Sequence, residues 1–168
     1  KQYLLDDIND GLKPENVQIV GQLALDDLFI SQKKADEIRK KMLLKYFGEY
    51  HHGRSIVIVG LPQFYEHNYL ELNESKDEIK FIINAIDHNK NKTILLSMHP
   101  KMSFANYDDL NSINNRTRLF EQEQLKDVLP IADYYYCFSE STLVWAMLCK
   151  VIPVYLDFYD NNITIENY

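Results

Sequence analysis

The chain has 168 residues, 18 Lys plus Arg against 25 Asp plus Glu for a formal net charge of −7, and two cysteines. A chain of this length buries roughly 70% of its unfolded surface in one core, which excludes a small disulfide scaffold. No apolar run approaches the roughly 20 residues of a membrane helix, and the acidic balance argues against a nucleic acid held by phosphate contacts while leaving room for a small anion in a local pocket.

The chain begins at Lys1 without a Met and carries no signal-like segment, so an excised piece of a longer protein is expected. Residues 1–50 read as a lead-in: a strand from Val17 to Val20 ended by Gly21, then helices, one with Ala35, Ile38, Met42, Leu43 and Tyr46 at helical spacing. His51-His52-Gly53-Arg54 reads as a solvated loop; with no Cys or paired carboxylate at ligand spacing, no metal site is expected.

From Ser55 to Tyr159 short apolar runs alternate with helical patterns. A strand over Ser55 to Val59 ends at Gly60-Leu61-Pro62. A helix carrying Ile79, Ile82, Ile83 and Ile86 follows, opened by a capping box at Ser75-Lys76-Asp77-Glu78. A strand over Thr93 to Ser97 ends at Met98-His99-Pro100; further strands span Thr117 to Phe120, Tyr134 to Phe138 and Val151 to Leu156. Between these lie a helix with Leu125, Val128, Leu129 and Ala132 and a last helix over Ser141 to Lys150, apolar nearly all round. Continuous apolarity over four to six residues marks strands buried on both faces, so the pattern predicts a three-layer α/β/α, Rossmann-like, doubly wound parallel sheet in a single domain over residues 1–168. Cys137 and Cys149 sit among apolar neighbours and read as core thiols in a reducing, cytosolic compartment.

In such sheets ligands bind beyond the carboxyl ends of the strands. Three segments fall there. Ser139-Glu140-Ser141-Thr142 opens a helix, where hydroxyls and backbone N–H groups hold a phosphate or simply cap the helix. His99, turned out by Pro100, can donate to a phosphate oxygen, and Lys101 adds charge. Gly60-Leu61-Pro62-Gln63 lets backbone approach a ligand, yet the chain has neither G-x-G-x-x-G nor a Walker Gly-Lys-Ser/Thr, which disfavours dinucleotide dehydrogenases and P-loop NTPases.

The order strand, Gly-Leu-Pro; strand, His-Pro-Lys; strand, Glu-Gln; helix, Ala-Asp; strand, Ser-x-Ser-Thr; helix, Pro-Val resembles the nucleotide-sugar-binding C-terminal half of GT-B glycosyltransferases, above all bacterial surface-polysaccharide enzymes with a His-Pro motif. The non-hydrolysing UDP-GlcNAc 2-epimerases look similar too. The resemblance covers Ser55 to Tyr159. It implies a donor-binding half in which His99 touches the donor phosphate of a CMP- or UDP-sugar as the catalytic group. Ser141 and Thr142 would hold the same phosphate, and Phe120, Glu121 and Gln122 would frame the base. It further implies no separate cofactor, a glycan or lipid-linked acceptor presented by an N-terminal half, and a place in the cytoplasm or at the inner face of the membrane. Two departures stand out: Ala146 occupies the position of the ribose-binding glutamate of many relatives, and Lys150-Val151-Ile152-Pro153 lacks their glycine. The alternatives are an epimerase-like domain and a non-catalytic interaction module.

Overall fold

The computed structural model describes residues 24–49, 53–88, 90–138 and 142–157. The expected strand at Val17 to Val20, the turn at Gly21 and the His51-His52 pair lie outside them. Five strands, β1 (Ser55–Gly60), β2 (Lys92–Ser97), β3 (Thr117–Phe120), β4 (Tyr134–Cys137) and β5 (Ile152–Tyr155), form one all-parallel sheet in the order β3-β2-β1-β4-β5. This is the Rossmann-like, doubly wound fold expected from the sequence.

The continuous apolar runs have a direct physical reading. Side chains alternate across a strand, so β1 sends Ile56 and Ile58 into one core and Val57 and Val59 into the other, all at most 1% exposed. Burying each such side chain contributes about 1.5–3 kcal/mol. One face carries helices α1 (Ala24–Lys33), α2 (Ala35–Phe47), α5 (Leu125–Val128) and α6 (Leu143–Leu148); the other carries α3 (Leu72–Ile86) and α4 (Phe104–Tyr107). Along α1 and α2 the inward stripe is Leu28, Ser31, Ala35, Ile38, Met42, Leu43 and Tyr46, spaced by one turn or less.

Three local expectations are corrected. The helix expected to open at Ser75 begins at Leu72, because Glu71 is extended (φ −66°, ψ 158°) and its N–H donates to Glu74 Oε2 at 3.1 Å in a Glu71–Glu74 capping box. Ser75 is therefore interior and fully buried. The helix expected over Leu125 to Ala132 is a single α-turn followed by a 3-10 turn, Leu129–Ile131, at which Pro130 supplies no N–H to continue α-helical bonding. The last helix is shorter than its apolar run and leaves Val144 and Met147 exposed.

At the outer strand, Ile152 N–H donates to Asp133 O (3.1 Å) and Leu156 N–H to Cys137 O (2.9 Å), so Pro153, by alternation, directs its nitrogen away from β4. At the amino ends of the strands, Asp133 Oδ2 accepts the Ile56 N–H at 2.7 Å, and Arg116 Nη2 pairs with Asp87 Oδ2 at 2.5 Å. Cys137 and Cys149 are buried and form no disulfide; burial pushes the Cys149 thiol up to about 11.

Candidate functional site

The strand order reverses between β1 and β4, and the carboxyl ends there open into a cleft of about 890 Å³. It collects the loops after β1 (Gly60 to Gln63), β2 (Met98 to Pro100) and β3 (Glu121 to Lys126), closed by Tyr135, Cys137 and Phe138 of the β4 region and by Thr142 and Trp145. Segments far apart in the chain thus meet because parallel strands end at one edge. Of the residues chosen from sequence, Gly60, Leu61, Pro62, Gln63, His99, Pro100, Phe120, Glu121, Gln122 and Thr142 all line this cleft. Lys101 is exposed and stands outside the lining, while Ser139, Glu140 and Ser141 lie outside the described residues.

His99 is held by its own turn. The Lys101 N–H donates to His99 Nδ1 at 3.2 Å, and the His99 N–H points to Met102 Sδ at 3.4 Å. With Nδ1 accepting, the neutral ring carries its proton on Nε2 and can donate it. Partial burial, then the charges of Lys101 and His67, lower the His99 pKa from 6.5, with Glu66 acting weakly against them. The ring is therefore neutral near pH 7. Lys101 acts on this site by its backbone and its field.

Gly60, in the cleft lining, also has a role within the protein. A Cβ at Gly60 would stand 2.9 Å from the Tyr135 hydroxyl, so the glycine makes room for a protein side chain at the cleft wall. In the sheet Tyr135 pairs with Ile58, two residues before Gly60, and its ring leans along the strand to reach it. The same hydroxyl lies 2.9 Å from Thr142 Oγ1. Thr142 makes no side-chain cap bond to α6. Burial raises the Tyr135 pKa far above that of an ordinary phenol, keeping the hydroxyl protonated.

The β3 wall is fixed from behind. Lys45 Nζ bonds Glu123 Oε1 (2.7 Å) and Gln122 Oε1 (3.2 Å), and the Tyr46 hydroxyl donates to Glu123 Oε2 at 2.6 Å, so α2 holds the Glu121 to Gln124 loop. On the α3 face, Phe64 meets Phe138 edge-on at 6.3 Å and joins the loops after β1 and β4. In the cleft wall the Gln63 Oε1 is buried with no hydrogen-bond partner among the described residues. Tyr135, Glu123 and Met102 escaped the sequence reading. Tyr135 carried a signal, a tyrosine on the strand beside a terminal glycine, but that signal needs the β1/β4 register to be seen.

Among the described residues no group of three His, Cys, Asp or Glu side chains is placed to hold a metal ion, and no helix is long and apolar enough to cross a membrane. No protein-family model, no curated protein and no solved structure matches the chain.

Proposed function

We propose that the cleft binds the phosphate of a nucleotide-sugar donor and that the chain is the donor-binding half of a GT-B glycosyltransferase of surface-polysaccharide synthesis. The observation that carries this reading is His99, whose Nδ1 is occupied by the Lys101 N–H, so that a neutral Nε2–H is presented at a parallel-sheet switch point. Breaking a glycosyl–phosphate bond loads charge on the leaving phosphate, and donors set in place beforehand stabilise that charge in the transition state. His99 supplies such a donor, and Thr142, already oriented by Tyr135, supplies a second. The base would lie toward Glu121 and Gln122 on the β3 side. The acceptor and the base that activates it belong to an N-terminal half.

One observation bears on the alternatives. Ala146 is fully buried in the core on the α6 side, so that position offers no carboxylate to a ribose. This weighs against an epimerase-like site and for either a donor site of another nucleotide type or an interaction module that has lost its ligand. Titration with CMP, UDP and CDP followed by heteronuclear NMR separates these. Donor binding predicts millimolar or tighter shifts at His99, Gln63 and Thr142; no shift at these residues with any of the three would sink the reading and leave the interaction module.

A further inference from the structure

Charge is unevenly spread in this acidic chain. Six of its 18 cations (Lys33, Lys34, Arg39, Lys40, Lys41 and Lys45) fall within residues 33–45, where the only acids are Asp36 and Glu37. The acids Asp36 and Glu37 sit in the first turn of α2, where they complement the helix dipole; the cations Arg39, Lys40, Lys41 and Lys45 follow them. Arg39 and Lys45 are engaged, with Arg54 O and Glu123 respectively. Lys33, Lys34, Lys40 and Lys41 are exposed and make no ion pair among the described residues.

The placement matters as much as the count. Opposite the buried stripe of α1 and α2, the exposed positions read Phe29, Ile30, Lys33, Lys34, Asp36, Glu37, Lys40, Lys41, Leu44 and Lys45, five lysines against two acids. Phe29 is 47% exposed, Ile30 54% and Leu44 46%, so three large apolar side chains stand in water beside these lysines. A solvated helix face needs no such apolar groups, and a nucleic-acid face would carry further basic charge instead of them. Interleaved apolar and lysine side chains suit the headgroup boundary of a bilayer, where the first enter the acyl edge and the second meet anionic lipid.

We infer that the outer face of α1 and α2 docks on an anionic lipid surface. The net charge of −7 opposes approach as a whole, but screening confines that repulsion to about 8 Å at physiological salt, so the local lysines decide contact. Because Lys45 and Tyr46 of α2 grip the loop that walls the cleft, docking would also fix the cleft relative to the membrane plane. The inference stands on the surface alone and does not depend on what the cleft binds.

The test is co-sedimentation of the 168-residue chain with phosphatidylcholine vesicles with and without phosphatidylglycerol. Binding is expected only with the anionic lipid, weakening by tenfold or more between about 0.1 and 0.5 M salt. K33E/K34E/K40E/K41E should lower binding at least about tenfold, and F29S/I30S should lower it without changing the salt dependence. K90E/K150E, distant in sequence and exposed, should bind as the unsubstituted chain does, with circular dichroism verifying the fold of each variant. Absence of binding to anionic vesicles, equal loss in the K90E/K150E control, or retention by heparin or nucleic acid with none by vesicles overturns the inference.

Discussion

The hydroxyl of Tyr135 lies 2.9 Å from Thr142 Oγ1 and occupies the space that a side chain at Gly60 would need. One phenol thereby couples the end of β1, the middle of β4 and the start of α6. Gly60→Ala should cost about 1–3 kcal/mol, as overpacking in a closed site does. The remaining neighbours of the added methyl are ring carbons at 3.6 Å, an ordinary contact, so Tyr135→Phe in the Gly60→Ala background should recover most of the loss. Urea denaturation of the two single variants and the double one measures the coupling; strict additivity would show that the hydroxyl is not what excludes the methyl.

His99 should titrate below 6.5 in the ligand-free protein, and its ring should show the Nε2–H form in nitrogen NMR. Its folded pKa lies below the unfolded one, so the unfolded chain takes up the proton first as pH falls. Stability linked to this residue is thus highest above about 6.5 and declines as pH drops through the folded value. His99→Gln should flatten that part of the stability profile, and a bound phosphate should move the titration upward.

The contact that holds the β3 loop should weaken on acidification. Burial works to raise the Glu123 pKa, but hydrogen bonds from Lys45 and Tyr46 outweigh it and the net shift is below 4.5. Its stabilisation is therefore present above about 4.5 and lost as pH falls through the folded value. Tyr46→Phe should cost about 1.5–3 kcal/mol at pH 7, the usual range for a bond to a charged acceptor, and less at pH 3. A cost independent of pH would assign the loss to packing.

At the opposite edge, Asp87 is 6% exposed, pairs with Arg116 and leaves Oδ1 without a partner among the described residues. Arg116→Met should cost about 3–5 kcal/mol because it strands a buried carboxylate. Asp87→Asn/Arg116→Met should recover much of that, since the charge goes with its partner. Denaturation midpoints of the pair decide it.

The sheet was legible because β1 and β2 are buried on both faces, and a strand of that kind writes itself as an unbroken apolar run whatever surrounds it. Helix boundaries were less so. Ser75-Lys76-Asp77-Glu78 has the form of a capping box, yet Glu71-Leu72-Asn73-Glu74 uses the same chemistry one turn earlier and wins, since it lets Leu72 join the core. In the cleft, the loops at strand ends followed from the topology rule, but Tyr135 did not. Its role depends on which residue of β1 it faces, a pairing between distant segments that one sequence does not encode in any local pattern. Gly60 stood out for its missing side chain, but that Tyr135 fills part of the space was not legible for the same reason.

Pro153 carries a consequence beyond the fold. Residues 153 and 155 direct their backbone away from β4, so proline removes one of the two outward donors of β5, and its ring stands in the path of an incoming chain. A parallel sheet is a template that any extended peptide can copy, and its edges are where copying begins. Among the described residues β5 ends the sheet, and its proline lets that edge carry exposed Ile152 and Tyr155 without offering an unbroken template to an incoming strand.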